Sequence, residues 1–328
     1  MRYVQLGKTG LKVSEVCLGT MTFGNEADEM MSRALMGHAF DQGINFFDSA
    51  HNYNKGVTEE IVGRWIAPHR NELILTTKVF FPAGGGMNDQ GLSRRNLIQS
   101  VEKSLKRFQT DYIDILYLHH WDETADIIQS MHAVNTLIEQ GKVMYCAVSN
   151  FSAWQTMKAI AVAEAHQLAP IVAVQPMYSL LKRQVEVEIL PMAAEEKLAV
   201  IPYNAIGAGM LTGKYLKDEK SSGRLNEVEM YRQRYEADVY KAITRRFIAY
   251  AHENAYSPAA LAVAWVKSHP LVTCPIIGAR NLDQLNDSLG CLAIDLTKDS
   301  RDEISALSIT PPTATDREPM TAMLARGW

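Results

Sequence analysis

Residues 44–56 read INFFDSAHNYNKG. An apolar run ends directly on an acid, Asp48, and a tyrosine, Tyr53, follows in a polar turn. A strand without polar alternation is buried on both faces, which points to a parallel sheet covered by helices. An acid closing such a strand sits at its C-terminal end, where barrel enzymes keep their chemistry. The stretch therefore poses one question about fold and one about function. The first depends on whether the pattern repeats, the second on what else ends the repeats.

It does repeat. The opening RYVQLGKTGLKVSEV reads as a hairpin turning at Lys8–Gly10, followed by a short strand in EVCLG. Beyond residue 48 the runs LILTTKV (73–79), IDILYLH (113–119), KVMYCAVSN (142–150), IVAVQ (171–175), LAVIPY (198–203) and TCPIIG (273–278) all read as buried strands. Helical periodicities separate them. One is Leu97, Ile98, Val101, Leu105, Phe108; another is Ile127, Ile128, Met131, Val134, Leu137, Ile138. Ser93, Ser152 and Ser257-Pro258 suit helix starts, where a side-chain oxygen caps open N–H groups. With the short strand at 16–18 this makes eight strands in βα alternation within 328 residues. The expectation is α/β architecture: a closed (β/α)₈ TIM barrel with an N-terminal β-hairpin, residues 1–328 forming one domain. Two long loops, 80–92 and roughly 204–238, follow strands and so fall at the C-terminal face.

Composition narrows the function classes. The net charge of −4 and the lack of a basic block argue against nucleic acid as a partner. The longest basic cluster, LKRF at 105–108, closes a helical pattern and is assigned to its solvated face. No run approaches the ~18 apolar residues of a membrane helix, and the N-terminus lacks a signal-peptide apolar region. Cys17, Cys146, Cys274 and Cys291 are widely spaced in apolar contexts and read as reduced core thiols. A cytoplasmic soluble protein is expected.

The nucleotide-binding motifs are incomplete. The segment NAIGAGMLTGKY (204–215) has Ala208 and Tyr215 where a phosphate-binding P-loop needs Gly and Ser or Thr. A triphosphatase is excluded, though Gly207, Gly209, Gly213 and Lys214 still suit backbone approach to some phosphate, or a purely structural loop. No G-x-G-x-x-G follows the first strand, so a Rossmann domain is not expected. The histidines His51, His119 and His120 have no metal-ligand spacing.

Asp48, Lys78 and His119 each close a strand. Alternation puts Asp48 with Ile44 and Phe46, Lys78 with Ile74 and Thr76, and His119 with Ile113, Ile115 and Tyr117. Singly, each has an ordinary reading: a buried ion pair for the first two, a core histidine for the third. Ending three strands of one barrel, they read as a site. A nearby Lys78 ammonium favours the Tyr53 phenolate, Asp48 holds the ammonium, and His119 can donate to a carbonyl oxygen. Such a set suits reduction or enolisation of a carbonyl.

At this point the chain resembles the aldo-keto reductase superfamily. The likeness runs over RYVQLGKTGLKVSEVCLGTMTFG, GINFFDSAHNY, LTTKV, DYIDILYLHHWD, GKVMYCAVSNFS, IPYNAIGAGMLTGKY and PIIGARNLDQL. The branch it looks most like is a mainly microbial group related to the potassium-channel β-subunits. The resemblance implies a barrel, NADP(H) as cofactor, a small-molecule carbonyl substrate, and a catalytic tetrad of Asp48, Tyr53, Lys78 and His119. His119 is preferred to His120 because it lies eight positions after Asp111 of the DY pair. It further implies the nicotinamide amide on Ser149, Asn150 and Gln175, flanked by Thr20 and Met21, with Tyr203 stacked on the ring. The backbone of Asn204, Ala205, Ile206, Gly207 and Ala208, with Lys214, would wrap the pyrophosphate. Gly278, Arg280, Gln284, Asp287 and Ser288 would meet the 2′-phosphate and adenosine end. Asn204-Ala205 stands where the family often has Ser-Pro, Met21 where many members have Trp, and Asp287-Ser288 where Glu-Asn is common. No metal is implied.

The implied activity is NADPH-dependent reduction of an aldehyde or ketone. Two competitors are a Schiff-base lyase using Lys78 and a non-enzymatic NADPH-binding redox sensor. Substrate specificity is expected from loops 21–29, 80–92 and 121–126, the segment after Tyr203, and the tail EPMTAMLARGW, with Met323 or Trp328 in the pocket. Phe23, Phe81 and Trp121 suggest an aromatic mouth, or equally loop packing.

Overall fold

The computed structural model describes residues 1–217, 221–313 and 315. An antiparallel hairpin, β1 (Tyr3–Gln5) and β2 (Lys12–Ser14), precedes a parallel sheet. The sheet's strands are β3 (Cys17–Gly19), β4 (Phe46–Asp48), β5 (Ile74–Val79), β6 (Ile113–Leu118), β7 (Val143–Ser149), β8 (Ile171–Gln175), β9 (Ala199–Val200) and β10 (Ile276–Ile277). Each pairs with the next up to β9, and β10 pairs with β3. Between β9 and β10 the Thr273 amide donates to the Val200 carbonyl at 2.9 Å, and Ile276 to Pro202 at 2.8 Å. Those bonds close the (β/α)₈ barrel.

The helices are α1 (Glu29–Asp41), α2 (Val57–Ile66), α3 (Arg94–Phe108), α4 (Ile127–Glu139), α5 (Ala153–Ala165) and α6 (Ile189–Glu195), then α7 (Lys214–Lys217), α8 (Arg224–Glu227) and α9 (Glu229–Tyr235), and last α10 (Asp238–Glu253), α11 (Pro258–Lys267), α12 (Leu282–Leu289) and α13 (Lys298–Ala306). All three expected starts are N-caps. Ser93 accepts from the Asn96 amide, Ser152 forms a capping box with Gln155, and Ser257 precedes Pro258 at the first helical position. Each such cap is worth about 1 kcal/mol.

Two apolar layers result. The barrel interior holds Leu6, Val13, Cys17, Phe46, Ile115, Tyr117, Ala147, Ala173, Ile201 and Cys274. The outer layer packs strands against helices. Alternation correctly aims Phe46 with Asp48, and Tyr117 with His119, into the barrel. It fails at the strand starts: Ile44 and Ile113 belong to the outer layer. There the floor of the barrel is filled by the hairpin's Leu6 and Val13 instead. The hairpin turn sits against that floor so tightly that a Cβ on Gly7 would lie 3.0 Å from the Val172 carbonyl. All four cysteines are buried free thiols. Among the described residues no helix is long and apolar enough to cross a membrane.

Two sequence expectations need correcting. Segment 204–238 is no plain loop: a 3₁₀ stretch (Gly207–Thr212) and α7 to α9 occupy much of it. In α9 the buried residues are Tyr231 and Tyr235, set among charged residues that hide the period. Nor is LKRF wholly solvated. Arg107 turns inward to donate to Glu59 Oε2 and to the His51 carbonyl, each at 3.1 Å. Buried Glu59 supplies the reason for that turn.

Candidate active site

The site begins at the end of β4. Asp48 Oδ2 accepts from Lys78 Nζ at 2.5 Å, while Oδ1 accepts from Thr76 Oγ1 at 3.0 Å and Gln175 Nε2 at 2.8 Å. Lys78 Nζ donates further to the Ser49 carbonyl at 2.6 Å and to Tyr53 Oη at 3.3 Å. Three acceptors therefore satisfy a fully buried ammonium. Burial presses that ammonium toward neutrality, but Asp48 and then Tyr53 outweigh it, so its pKa lies above the ordinary lysine value. At neutral pH Lys78 is charged and has no lone pair to offer.

Tyr53 is carried there by a distorted turn. Asn54, Lys55 and Gly56 have φ of 45°, 55° and 97°, consecutive left-handed residues. Asn54 tolerates that region and fastens the turn by donating to the Gly24 carbonyl at 2.5 Å. Gly56 suits its φ of 97° where an L side chain is strained, and a Cβ there would lie 2.3 Å from Arg107 Cζ and displace the guanidinium. Arg107, held by Glu59, thus braces the turn from α3 while Thr77 Oγ1 anchors Glu59 at 2.6 Å. Burial raises the Tyr53 pKa, opposed by the Lys78 charge. From the sequence, the lysine is expected to win that contest; burial wins instead, and the hydroxyl keeps its proton.

His119 follows β6 with its ring edge-on to Tyr53 at a centroid distance of 6.3 Å and to Phe81 at 5.0 Å. Burial first, and Lys78 next, hold its pKa well below the usual histidine value, so the ring is neutral at pH 7. Its Nδ1 is buried with no hydrogen-bond partner. A ring hydrogen on Nε2 leaves only an acceptor unpaired there, the less costly arrangement, and makes His119 a donor to a ligand.

His51, which the sequence left without a role, joins the turn to the 80–92 loop: its Nε2 donates to the Phe81 carbonyl at 2.7 Å. Burial pushes its pKa down to about 4. A histidine depressed in the folded state stabilises the fold above its unfolded pKa of about 6.5, and that contribution is lost as pH falls toward 4. The loss amounts to at most about 3 kcal/mol. His51→Gln keeps a donor but cannot titrate, so urea unfolding at pH 7.5 and 5 should show a shallower pH dependence than the parent. Equal slopes would remove His51 from this account.

Asp48, Tyr53 and His119 line a cavity of about 860 Å³, whose lining does not include Lys78 or His51. Every residue assigned to a cofactor from the sequence lines it except Gly207, which faces Leu181. Thr20 and Met21 lie on the first loop, and Thr20 Oγ1 donates to the Asp48 carbonyl at 3.0 Å. Ser149, Asn150 and Gln175 lie at the ends of β7 and β8. Asn150 Nδ2 donates to the His119 carbonyl at 2.9 Å and its Oδ1 accepts from Tyr203 Oη at 2.7 Å. Asn204 is left-handed, φ 67°, a conformation that asparagine accepts far better than most residues. It donates to Tyr235 Oη and accepts from the Ala208 amide, both at 2.6 Å.

Ala205, Ile206, Ala208 and Lys214 continue that wall toward Gly278, Arg280, Gln284, Asp287 and Ser288 at the other end. Ala208 and Gly209 are both left-handed. Successive turns of this kind expose backbone N–H groups, and with Lys214 and Arg280 beside them they fit a phosphate-bearing cofactor. Lys214 Nζ donates to the Ser222 carbonyl at 2.9 Å, and Arg280 pairs with Glu26 at 3.2 Å and Glu227 at 3.3 Å.

The family model described as Aldo/keto reductase family matches residues 15–309. The chain belongs to that family. It is 38% identical to an uncharacterized oxidoreductase, YrpG, of Bacillus subtilis (strain 168), over 91% of this chain and 93% of the other. It is 34% identical to a probable voltage-gated potassium channel subunit beta of Oryza sativa subsp. japonica, covering 96% and 99%. An aryl-alcohol dehydrogenase of Pestalotiopsis microspora is 32% identical, covering 90% of this chain and 78% of that protein. This aldo/keto reductase is an oxidoreductase acting on small molecules with a nicotinamide cofactor.

The substrate mouth differs from expectation. Phe81 lines the cavity, but Phe23 is fully buried in the outer core and Trp121 packs on Phe151 and Trp154 at 5.4 and 5.5 Å. Met323 and Trp328 lie outside the described residues. Phe80, Met230, Tyr231 and Arg234 line the cavity from the 80–92 loop and the segment after Tyr203, both expected to shape specificity, but the sequence does not single them out; His120 and Met177 line it as well. Phe80 sits beside Phe81 and was legible; the residues of α9 were not, because the helix itself was not.

Proposed function

We propose that this protein reduces an aldehyde or ketone to an alcohol with NADPH. The observation that carries the reading is the chain Asp48–Lys78–Tyr53, its acid and lysine buried and its half-buried tyrosine lining the cavity beside His119. A reduced nicotinamide, when bound, supplies the hydride. Ser149, Asn150, Gln175 and Tyr203 would hold its ring, and Lys214 and Arg280 its phosphates. Tyr53 Oη gives its proton to the carbonyl oxygen, and Lys78 stabilises the phenolate left behind. Asp48 keeps Lys78 charged and in place, and His119 donates to the same carbonyl oxygen and orients it. One barrel domain over residues 1–328 completes the reading; limited proteolysis should leave a single core.

The aromatic mouth, with His120 centred 5.1 Å from Phe80, favours aryl aldehydes, as does the relative named for aryl alcohols. The test is a panel of aliphatic and aromatic aldehydes, ketones, sugars and pyridoxal, followed with NADPH and NADH separately. Tight NADPH binding with no turnover anywhere in it would favour the redox-sensor reading. The lyase reading is disfavoured by the triply bonded Lys78 ammonium, and borohydride should trap nothing on it.

Arg280 is the expected 2′-phosphate ligand. Arg280→Ala should raise KM for NADPH roughly tenfold to a hundredfold, with KM for NADH moving less than about threefold. A similar loss with both cofactors would assign Arg280 a structural role through Glu26 and Glu227.

A further inference from the structure

We propose that the preferred substrate carries a carboxylate as well as its carbonyl, and that Arg234 receives it. This rests on the carbonyl-reductase reading and adds the substrate class. Of the basic groups on the cavity wall, Arg224 and Arg280 are paired with Glu26, Arg280 also with Glu227, and Lys214 donates to Ser222. Arg234 differs. Among the described residues no carboxylate lies within salt-bridge distance of it, and its hydrogen bond goes to Met230 Sδ at 3.4 Å. Thioether sulfur is a weak acceptor, so a half-buried guanidinium with five N–H donors is left largely unmet. Its charge lies 5.4 Å from the Tyr231 ring centroid, a contact that steadies the group without using its donors.

Position assigns this cation to the reacting end rather than the phosphate end. Tyr235, the next residue, holds Asn204, which follows Tyr203; Tyr203 in turn is bonded to Asn150. Tyr231, one turn earlier, lines the same cavity as Tyr53 and His119. Among the described residues of the wall, no unpaired carboxylate faces an anion there. Asp48 is neutralised by Lys78, and Asp287 is bonded to Ser257 at the distant end. The ordinary alternative is that Arg234 only complements the C-terminal carbonyls of α9. Arg232 in the same turn is exposed, pairs with Glu229 and can serve that purpose from outside the cavity.

The experiment compares 3- and 4-carboxybenzaldehyde with the corresponding carbamoylbenzaldehydes, which match in shape and lack the charge. For the parent, kcat/KM should favour the acids by roughly tenfold to a hundredfold. Added salt should shrink the ratio. Arg234→Gln should lower the acids far more than the amides, bringing the ratio to within about twofold of one, and Arg234→Lys should restore part of it. Binding of all four compounds is measured by calorimetry with oxidised cofactor present, where no reduction can occur. If neither class turns over, the carbonyl-reductase reading fails; tighter binding of the acids by the parent but not by Arg234→Gln still upholds the anion site. Equal kcat/KM and equal binding for acid and amide in the parent would overturn it. So would an Arg234→Gln variant that loses both classes alike, or that keeps the preference and weakens NADPH binding instead.

Discussion

Tyr53→Phe should bind NADPH within about twofold of the parent yet reduce carbonyl substrates roughly a hundredfold to ten-thousandfold more slowly. The substitution removes one oxygen from a site whose other contacts survive it. The ring keeps its edge contact with His119, and the turn stays fastened by Asn54, Gly56 and Arg107. Lys78 keeps Asp48 and Ser49 as partners. What disappears is the one hydroxyl in contact with the ammonium. Because burial raises the Tyr53 pKa, the acid form is fully populated at neutral pH, and reduction should slow only above about pH 10. His119 titrates well below its usual range, so no inflection should appear near pH 6.5. Fluorescence titration gives cofactor affinity, and loss of the reduced-nicotinamide absorbance gives rate. A Phe variant as fast as the parent would end the assignment of Tyr53 as proton donor.

Much of this was legible in one sequence because a barrel repeats its signal. Eight apolar runs mark the strands, and the acid, lysine and histidine at or next to the ends of three of them mark the rim, so Asp48, Lys78 and His119 are placed by sequence alone. Tyr53 was harder. It lies in a turn whose shape depends on Gly56 meeting Arg107, a contact made across 51 residues of sequence. The balance of forces on Tyr53 was misjudged for a related reason: spacing reveals the neighbouring cation but not the depth of burial that outweighs it. His51 was unassigned because its partner is a backbone carbonyl, which leaves no mark in the side-chain pattern. The segment after Tyr203 is expected at the mouth, but α9 within it is not legible as a helix because two buried tyrosines make too short a period to read against charged neighbours. The family resemblance supplies most of the expected cofactor contacts; the residues alone offer only Gly207, Gly209, Gly213 and Lys214 as a loop suited to a phosphate.

Lys78→Met should destabilise the fold by about 3–5 kcal/mol as well as abolish turnover. Methionine has nearly the right length, so little of the cost is cavity. The cost arises from Asp48, a buried carboxylate left facing a thioether instead of an ammonium at 2.5 Å. Thr76 and Gln175 still donate to its other oxygen, which limits the damage, while the Ser49 carbonyl loses a donor as well. A double-mutant cycle separates the charge effect from shape. Asp48→Asn combined with Lys78→Met replaces the ion pair by neutral groups of similar volume, and it should recover much of the stability without recovering activity. The pH dependence has a definite sign. Since the folded-state pKa of Lys78 is raised, its contribution is complete below the unfolded value of about 10.5 and is lost as pH rises through the folded one. The gap between parent and Lys78→Met should therefore stay constant from pH 7 to 9 in urea titrations. A double variant no more stable than Lys78→Met alone would mean that the ammonium supports the site through Ser49 and Tyr53 rather than through Asp48.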